Sequence, residues 1–329
     1  QNLKWEKSYS FNVGTEFALF NNRINGSVEY FSRDSKQLLQ DVNISNVTGF
    51  SNILKNIGTV NNKGVEISIA GDIIRNENLR WSAGVNTSLI KSKVIALNEG
   101  QDVIWSDPTG GDGRVDFIYR EGGDVYTFYL KEWAGVDKTN GKPIWYTNDG
   151  TEGEFLHNGR GATNKVADAN YVPYGSPIPK AYGGINTNLE YKGFALDLNF
   201  SYKIGGKLFD HASRDVAEDG YYWERIRSYY AYENAWTPDN TDALYPKISG
   251  NDPEDGIAYS TRHLYDASFI RLKNVNLAYR LPSSITNKIG LSSTRIFFNG
   301  TNLLTSSKFK WADPEVNQYG TRGWETPYG

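Results

Sequence analysis

The chain has 329 residues, a mass of 37.0 kDa, a net charge of −3 and a sequence pI of about 5.8. Because nucleic-acid binding normally requires a basic surface, this charge balance argues against a nucleic-acid partner. The chain has no cysteine, which excludes a cysteine nucleophile, and no apolar run of about 18 residues, so no transmembrane helix is predicted.

Ten stretches show the period-two alternation of apolar and polar residues that is typical of β-strands. In the first, Phe11, Val13 and Phe17 share one face, with mostly polar or small residues between them. The ten predicted strands cover residues 8–20, 24–30, 65–69, 79–89, 124–134, 143–146, 180–191, 194–202, 267–281 and 294–304. No strongly amphipathic helix competes with this interpretation, so the predicted fold class is all-β.

The connections between these strands alternate strictly between short and long. The short ones are residues 21–22, 75–78, 138–141, 192–193 and 282–293. Outer-membrane barrels have short periplasmic turns and long surface loops, and their tilted strands need about 9–11 residues to cross lipid. Soluble sandwich strands are shorter, about 5–6 residues, and their loops are mixed in length. The pattern predicts a transmembrane antiparallel β-barrel with extracellular long loops and periplasmic short turns.

The two ends of the chain predict that the ten strands belong to a larger barrel. An open sheet edge would leave unpaired backbone groups in hydrocarbon. We therefore expect many strands before Gln1 and at least one after Gly329. The absence of methionine fits this expectation, since neither an initiator nor a signal peptide is represented.

No residue pattern indicates catalysis, and we expect no enzyme activity. The three histidines, His157, His211 and His263, lie in predicted long connections without the spacing of metal ligands. No motif places two carboxylates together as a glycosidase pair. We therefore predict no catalytic residue, no metal ligand and no cofactor-binding residue.

Calcium in an acidic surface loop is the alternative to a chain without cofactors. Two acidic sets offer oxygen ligands, and they consist of Asp107, Asp112 and Asp116, and of Asp252, Glu254 and Asp255. Neither set has the spacing of an EF-hand. Solvated turns are the favoured interpretation of both.

The longest connection, residues 205–266, concentrates aromatic side chains next to charged ones. The candidate contact residues are Tyr221, Tyr222, Trp223, Arg225, Tyr229, Tyr230 and Trp236. Flat rings beside charges suit stacking on sugars or gripping a peptide. Exposed aromatic patches more often mark protein interfaces, so packing against a partner or within the loop is favoured, and both uses stay open. Trp105, Trp133 and Trp145 are weaker candidates for ligand contact, and Trp133 is expected in the barrel wall.

Two basic residues fall within the predicted strand 267–281. A basic side chain exposed to lipid costs about 2–4 kcal/mol at the bilayer midplane. Arg271 and Lys273 are therefore expected to point into the lumen or to lie near an interface.

Several stretches occur in the order of one known family. The most specific is NIGTVNNKGVE at residues 56–66. The others are LKWEK (3–7), FNVG (11–14), LFNNRINGSVEY (19–30), AGVD (134–137), GKP (141–143), SFIRLKNVNLAYRLP (268–282), GTNLL (300–304) and DPEV (313–316). Together they resemble the TonB-dependent outer-membrane receptors of the SusC/RagA type, over essentially the whole chain.

The resemblance implies a 22-stranded barrel in which residues 1–329 are the carboxyl-terminal part, strands 12 to 21. The plug, the amino-terminal extension, the first barrel half and the last strand would lie outside this chain. It also implies active import of a large nutrient, a glycan or an oligopeptide, across the outer membrane of a Gram-negative bacterium. The implied partners are a SusD-like lipoprotein lid, the TonB-ExbB-ExbD system acting through the plug, and outer-membrane lipid.

Two alternatives are left open at this point. A TonB-dependent siderophore or vitamin receptor would share the barrel and lack the lipoprotein lid. A soluble carbohydrate-binding or glycosidase β-protein would have a core of two packed inward faces and would need no detergent.

Overall fold

The computed structural model describes residues 3–43, 52–56, 58–97, 100–105, 115–217, 219–220, 226–249, 256–309 and 311–315. These residues form twenty strands in five sheets, which confirms the all-β prediction. Within these ranges, no helix is long and apolar enough to cross a membrane.

The strands have the following bounds: β1 Lys7–Leu19, β2 Ile24–Lys36, β3 Leu39–Asn43, β4 Asn52–Asn56, β5 Gly58–Arg75, β6 Leu79–Leu97, β7 Val103–Trp105, β8 Asp116–Tyr119, β9 Thr127–Lys131, β10 Trp133–Val136, β11 Pro143–Tyr146, β12 Phe155–His157, β13 Arg160–Thr163, β14 Tyr171–Pro173, β15 Ala181–Tyr191, β16 Phe194–Ile204, β17 Lys207–Phe209, β18 Leu264–Asp266, β19 Phe269–Arg280 and β20 Arg295–Ser307. The short helices are α1 His211–Val216, α2 Tyr229–Glu233 and α3 Ser283–Thr286, and 3-10 turns lie at Val166–Asp168, Thr261–His263 and Asn287–Ile289.

Eight long strands form one antiparallel sheet, the main sheet, in the order β1, β2, β5, β6, β15, β16, β19, β20. The order follows the chain, so each strand pairs with its neighbours in the sequence of long strands. The connections alternate between short turns, such as residues 192–193, and long segments, such as residues 98–180. The predicted alternation of short and long connections is therefore confirmed for this sheet.

The short turns have the chemistry that the sequence predicts. Lys192 (φ 45°) and Gly193 (φ 88°) are both left-handed, as a two-residue hairpin turn requires. Asn21 and Asn22 also adopt positive φ, at 55° and 62°, which asparagine tolerates well. At the turn between β5 and β6, the Asn76 Oδ1 accepts hydrogen bonds from the backbone nitrogens of residues 78 and 79 at 3.0 and 2.8 Å.

The register gives the main sheet one apolar face and one polar face. One apolar row crosses all eight strands and consists of Phe17, Gly26, Ile69, Val85, Ile185, Phe200, Leu272 and Leu304. The row one residue away consists of Glu16, Ser27, Ser68, Asn86, Gly184, Ser201, Arg271 and Thr305. Successive side chains point to opposite faces, so the second row lies on the polar face.

Two basic side chains of β19 meet carboxylates from the segment that follows β20. Arg271, on the polar row, forms ion pairs with Asp313 and, at 3.0 Å, with Glu315. Lys273 lies at a register shift between residues 272 and 274 and reaches Glu315 at 2.8 Å. Arg271 thus avoids the apolar face, as expected from the cost of exposing a basic group there.

Two of the ten predicted strands do not belong to the main sheet, so the prediction is wrong for them. Residues 124–134 form β9 and the start of β10, and residues 143–146 form β11. These strands belong to two smaller sheets, β14-β9-β8-β7 and β10-β11-β13-β12. Any sheet with one buried face produces the same alternation, so periodicity could not separate them from the long strands. Residues 98–180 therefore form one long connection, and the turn at 138–141 lies within it.

We predict that the apolar face contacts lipid, and a charge placed on each face tests this. Ile69→Arg puts a guanidinium in the middle of the apolar row, which should reduce the stability of the protein folded in vesicles by about 2–4 kcal/mol. Ser68→Arg puts the same group one residue away on the polar face and should change the stability by less than about 1 kcal/mol. Urea titration in vesicles measures both, and equal losses would contradict the assignment of the faces.

Candidate functional site

Two long connections pack against each other at one end of the main sheet. The first long connection is residues 98–180 and the second is residues 205–268. Phe117, Phe128 and Leu130 of the first share a buried apolar core with Phe209 and Leu264 of the second. The two connections therefore fold together, and we call their described residues the loop body.

An arginine sandwich links the two connections in the loop body. The Arg262 guanidinium lies 4.7 Å from the ring of Trp133 in the first connection and 4.9 Å from the ring of Tyr245 in the second. Its Nη1 donates to the backbone oxygen of Gly256 at 3.0 Å. Burial lowers the Arg262 pKa to about 10, so the group stays charged at neutral pH. Cation–π contacts are strongest when the cation is desolvated, as it is here.

Trp133 does not lie where the sequence predicts it. The sequence predicts Trp133 in the barrel wall, but the residue begins β10 in one of the smaller sheets. Its ring packs edge-on against the fully buried Trp145 at 5.1 Å, and its backbone nitrogen donates to the hydroxyl of Thr261 at 3.1 Å. Both tryptophans thus hold the loop body together. The side chain of Trp105 lies outside the described residues.

A second contact joins the 138–141 turn to the second connection. The Trp236 Nε1 donates to the backbone oxygen of Lys138 at 3.0 Å, and the Lys138 Nζ pairs with Asp242 at 2.6 Å. The Trp236 ring covers Gly141, where an added Cβ would lie 2.6 Å from the ring. The strand pattern predicts this turn on the opposite side of the membrane from the longest loop. That prediction is wrong, because the turn touches Trp236.

The aromatic candidates of the longest connection differ in their surroundings. Tyr221, Tyr222, Trp223 and Arg225 lie outside the described residues. Trp236 packs inside the loop body, and Tyr230 on α2 meets Trp311 at 5.1 Å and Tyr245 at 6.2 Å between ring centroids. Tyr229, the other candidate on α2, is 71% exposed. Contact of these residues with ligand or lid stays a prediction.

Exposed apolar side chains surround α2. This apolar patch consists of Tyr229, Tyr232, Leu244 and Trp311, which are 71%, 65%, 60% and 47% exposed. The Leu244 backbone nitrogen bonds to the oxygen of Asn234 at 3.1 Å, which places it beside the end of the helix. Sequence reasoning misses Leu244 and Trp311, since only the fold brings them to α2. Exposed apolar side chains gathered around one helix are typical of a protein interface.

Amide side chains, together with a few charged ones, line the polar face near the short turns. Asp197 accepts hydrogen bonds from the Nδ2 of Asn188 at 2.5 Å and of Asn276 at 3.0 Å. A cavity of about 300 Å³ opens beside them, and its lining includes Asn186, Asn199, Asp72 and Ser82. These residues come from neighbouring strands in register, so no local motif signals the site. Amides donate and accept, which suits contact with hydroxyls or peptide groups.

A larger cavity, about 650 Å³, lies between the polar face and the first long connection. Asn62 of β5 and Ser92 of β6 form one wall, and Tyr119 and Tyr126 form part of the other. Burial, with a smaller effect of Tyr126, raises the pKa of the Tyr119 hydroxyl, which therefore keeps its proton. Aromatic rings with a few hydrogen-bonding groups are the usual lining of a ligand site, and the volume is in the usual range.

The histidines lie apart from these cavities. Burial lowers the pKa of His211 to about 3 and holds the pKa of His263 well below its usual value, so both imidazoles are neutral at neutral pH. Both rings pack on Phe209. In the ranges that the structure describes, no group of three or more His, Asp or Glu side chains could hold a metal ion. Of the two acidic sets considered for calcium, only Asp116 is described, so that alternative stays untested.

The arginine sandwich predicts a coupled loss of order in both connections. Arg262→Ala removes two desolvated cation–π contacts and should destabilise the loop body by about 2 kcal/mol or more. Limited proteolysis of the purified protein should then cleave both connections faster while the main sheet stays intact. Arg120→Ala is the control, because its ion pair with Asp102 is half exposed and contributes about 1 kcal/mol at most. Faster cleavage of one connection alone would contradict the coupling.

Gly122 and Gly141 have the same φ of +76°, so substituting each of them distinguishes backbone strain from contact with Trp236. A Cβ added to Gly122 would meet open space, whereas a Cβ added to Gly141 would meet the Trp236 ring. Gly122→Ala and Gly141→Ala should share a strain of about 1 kcal/mol, and only the second should add a clash. Thermal unfolding of the loop body, followed by tryptophan fluorescence, should show a clearly larger loss for Gly141→Ala. Equal losses would mean that Trp236 does not cover this turn.

Comparison with known proteins gives a consistent result. The family model described as "TonB dependent receptor-like, beta-barrel" matches residues 1–217. TonB-dependent receptor P3 of Formosa agariphila is 32% identical over 96% of this chain, and TonB-dependent receptor SusC of Bacteroides thetaiotaomicron is 27% identical over 96%. The structure of the RagAB peptide transporter matches 95% of the chain with a TM-score of 0.76 and 30% identity.

These matches span only part of the related proteins. The chain covers 31% of receptor P3, 30% of SusC and 33% of the matched RagAB chain, about a third of each. The eight-stranded sheet with one apolar and one polar face is therefore part of a larger barrel of this type. The chain belongs to the β-barrel family of TonB-dependent outer-membrane receptors, in its SusC/RagA form.

Proposed function

We propose that the chain is part of a TonB-dependent importer that takes up a large polar nutrient, an oligopeptide or a glycan, beneath a SusD-like surface lipoprotein. The observation that carries this proposal is the extent of the match to the RagAB peptide transporter. The match covers 95% of the chain, so it includes the long connections as well as the strands. Long connections carry specificity in such barrels, since the strands mainly supply the wall.

The two faces of the main sheet support passage of a polar solute. The apolar row suits lipid, and the polar face presents amides and hydroxyls, including Asn188, Asn276 and Ser68. Amides and hydroxyls bind hydroxyls and peptide groups, and the charged side chains of Arg23, Asp72 and Asp197 lie among them. The proposal includes no chemistry on the substrate. Energy would come from the TonB-ExbB-ExbD system acting on a plug outside these residues.

We propose an orientation from the connection lengths. We place the loop body on the cell surface and the short turns in the periplasm, because outer-membrane barrels keep their long loops outside. In this orientation the 650 Å³ cavity lies beneath the loop body, at the outer mouth of the polar face. A substrate held by the lid would meet Tyr126 and Asn62 before the amides near the short turns.

The apolar patch is the surface that we assign to the lipoprotein. Tyr229, Tyr232 and Leu244 are at least 60% exposed and have no covering element among the described residues. Tyrosine and tryptophan are enriched among the residues that dominate binding energy at interfaces. The patch is held by the backbone contact of Leu244 and by the packing of Tyr230 on Trp311, so it is preformed for docking.

Substitution of the patch tests this assignment. Tyr229→Ala with Leu244→Ser should weaken binding of the copurifying lipoprotein by at least about tenfold, because both side chains would be buried on docking. Leu156→Ser is the matched control, since Leu156 is 61% exposed in the first connection and Leu244 is 60% exposed. Binding is measured with the full receptor in detergent. If Leu244→Ser alone weakened lipoprotein binding no more than Leu156→Ser, the apolar patch would not be part of the interface.

The substrate is identified by mass spectrometry of the receptor purified with its lipoprotein. We expect bound oligopeptides or glycans. An iron chelate or a vitamin, found in a receptor without a lipoprotein, would instead support the siderophore or vitamin type of receptor.

A further inference from the structure

An arginine in the polar face of the main sheet is paired with two carboxylates from a neighbouring segment. Arg271 lies near the start of β19, at the end of the sheet that carries the long connections, and its side chain is only 7% exposed. Its guanidinium pairs with Asp313 and, at 3.0 Å, with Glu315. The Lys273 Nζ reaches the same Glu315 at 2.8 Å. The cation is therefore fixed in the sheet, whereas both of its partners belong to the segment that follows β20.

Basic side chains outnumber carboxylates at this position. Lys203 of β16 lies two residues from Ser201 on the polar face and within electrostatic range of Glu315. Three basic side chains thus face two acidic ones. Among the described residues, the buried Nε of Arg271 also has no hydrogen-bond partner. The group keeps a net positive charge and a free donor, so it can accept a further anion. We call Lys203, Arg271 and Lys273 the basic site.

A cavity of about 530 Å³ opens beside the Arg271 guanidinium. Its lining includes Asp313 and the hydroxyl-bearing side chains of Thr305 and Ser307. The volume is in the usual range for a ligand site. The side chains of Asp313 and Glu315 are 43% and 35% exposed, so both carboxylates are far more accessible than the arginine. A ligand in the cavity can therefore take the place of a carboxylate while Arg271 stays in the sheet.

We propose that the basic site binds an acidic side chain of an oligopeptide substrate, and that Asp313-Pro314-Glu315 occupies it as a pseudosubstrate. This inference rests on the proposed function, import of a large polar nutrient. The arginine fork matches a carboxylate in a bidentate arrangement. The group that the site holds in this structure is itself an acidic peptide segment, which favours an oligopeptide over a glycan as its ligand.

Competition distinguishes a binding site from an ion pair with a structural role only. If a substrate carboxylate replaces Asp313 and Glu315 at the guanidinium, removal of these two carboxylates should strengthen the binding of acidic peptides. Removal of the Arg271 charge should weaken it. A structural ion pair would respond to both changes in the same direction, because each of them loosens the same segment.

The test measures which peptides the full receptor, purified with its lipoprotein, retains from a synthetic library. Each library peptide is present in a glutamate form and in a glutamine form, and mass spectrometry gives the ratio retained. The unmodified complex should retain the glutamate form at least about tenfold better, as expected for a charge-assisted hydrogen bond. Arg271→Gln should abolish this preference. Asp313→Asn with Glu315→Gln should raise it by about fivefold or more, because the competing carboxylates are gone.

Two further variants control for charge and for folding. Lys308→Gln removes one positive charge from the neighbouring pair with Asp266, which is 3.3 Å long and lies outside the cavity lining, and should leave the preference unchanged. Arg271→Lys keeps the charge without the planar fork and should retain part of the preference. It provides the readout if Arg271→Gln does not fold.

The possible outcomes separate the basic site from the proposed function. A glutamate preference that falls in Arg271→Gln and rises in the double carboxylate variant supports the site. Equal retention of the two peptide forms by the unmodified complex would overturn it, and so would a weaker preference in the double variant. Retention of acidic oligosaccharides instead of peptides, from a matched mixture, would also overturn it and leave nutrient import standing. Retention of neither class would contradict the proposed function, and the site with it.

Discussion

Strand register is the constraint on which the rest of the molecule depends. Eight strands pair in chain order, and a shift of one residue in any pair would move a whole set of side chains from one face to the other. The row through Phe17, Val85 and Leu304 stays apolar across every pairing, and the neighbouring row stays polar. Register therefore determines both which face of the sheet is apolar and where the asparagine amides gather.

The loop body depends on this sheet for its position. Both long connections start from neighbouring points, because they join strands β6, β15, β16 and β19 at the same end of the main sheet. Their shared core around Phe117 and Phe209, and the arginine sandwich at Arg262, then make one structure from two segments that are distant in sequence. A joined loop body gives the proposed lid-binding surface a fixed shape, which would lower the entropic cost of docking.

Much of the main sheet can be predicted from the sequence, because its strands are long and strictly alternating. The short turns are also predictable, since Asn21, Asn22 and Gly193 have the residue types that positive φ requires. Periodicity assigns the strands at 124–134 and 143–146 to the wrong sheet, because a small sheet with one buried face has the same period. Only length distinguishes them, and β11 has four residues where β6 has nineteen.

The functional surfaces are harder to predict because they depend on contacts between distant residues. An aromatic cluster near α2 is visible in the sequence, but its division into packed Trp236 and exposed Tyr229 is not. Leu244 and Trp311 reach the apolar patch only through the fold. The amides around Asp197 come together through cross-strand register, which a single sequence does not contain.

The central claim is that the long connections lie on one side of the membrane and the short turns on the other. The 329 residues contain no cysteine, so one introduced cysteine gives a single label within them. Intact cells treated with a large, membrane-impermeant maleimide should label Thr139→Cys, in the turn that Trp236 holds, and should leave Glu77→Cys unlabelled until the outer membrane is permeabilised. Equal labelling of both positions on intact cells, or labelling of Glu77→Cys alone, would contradict the proposed topology.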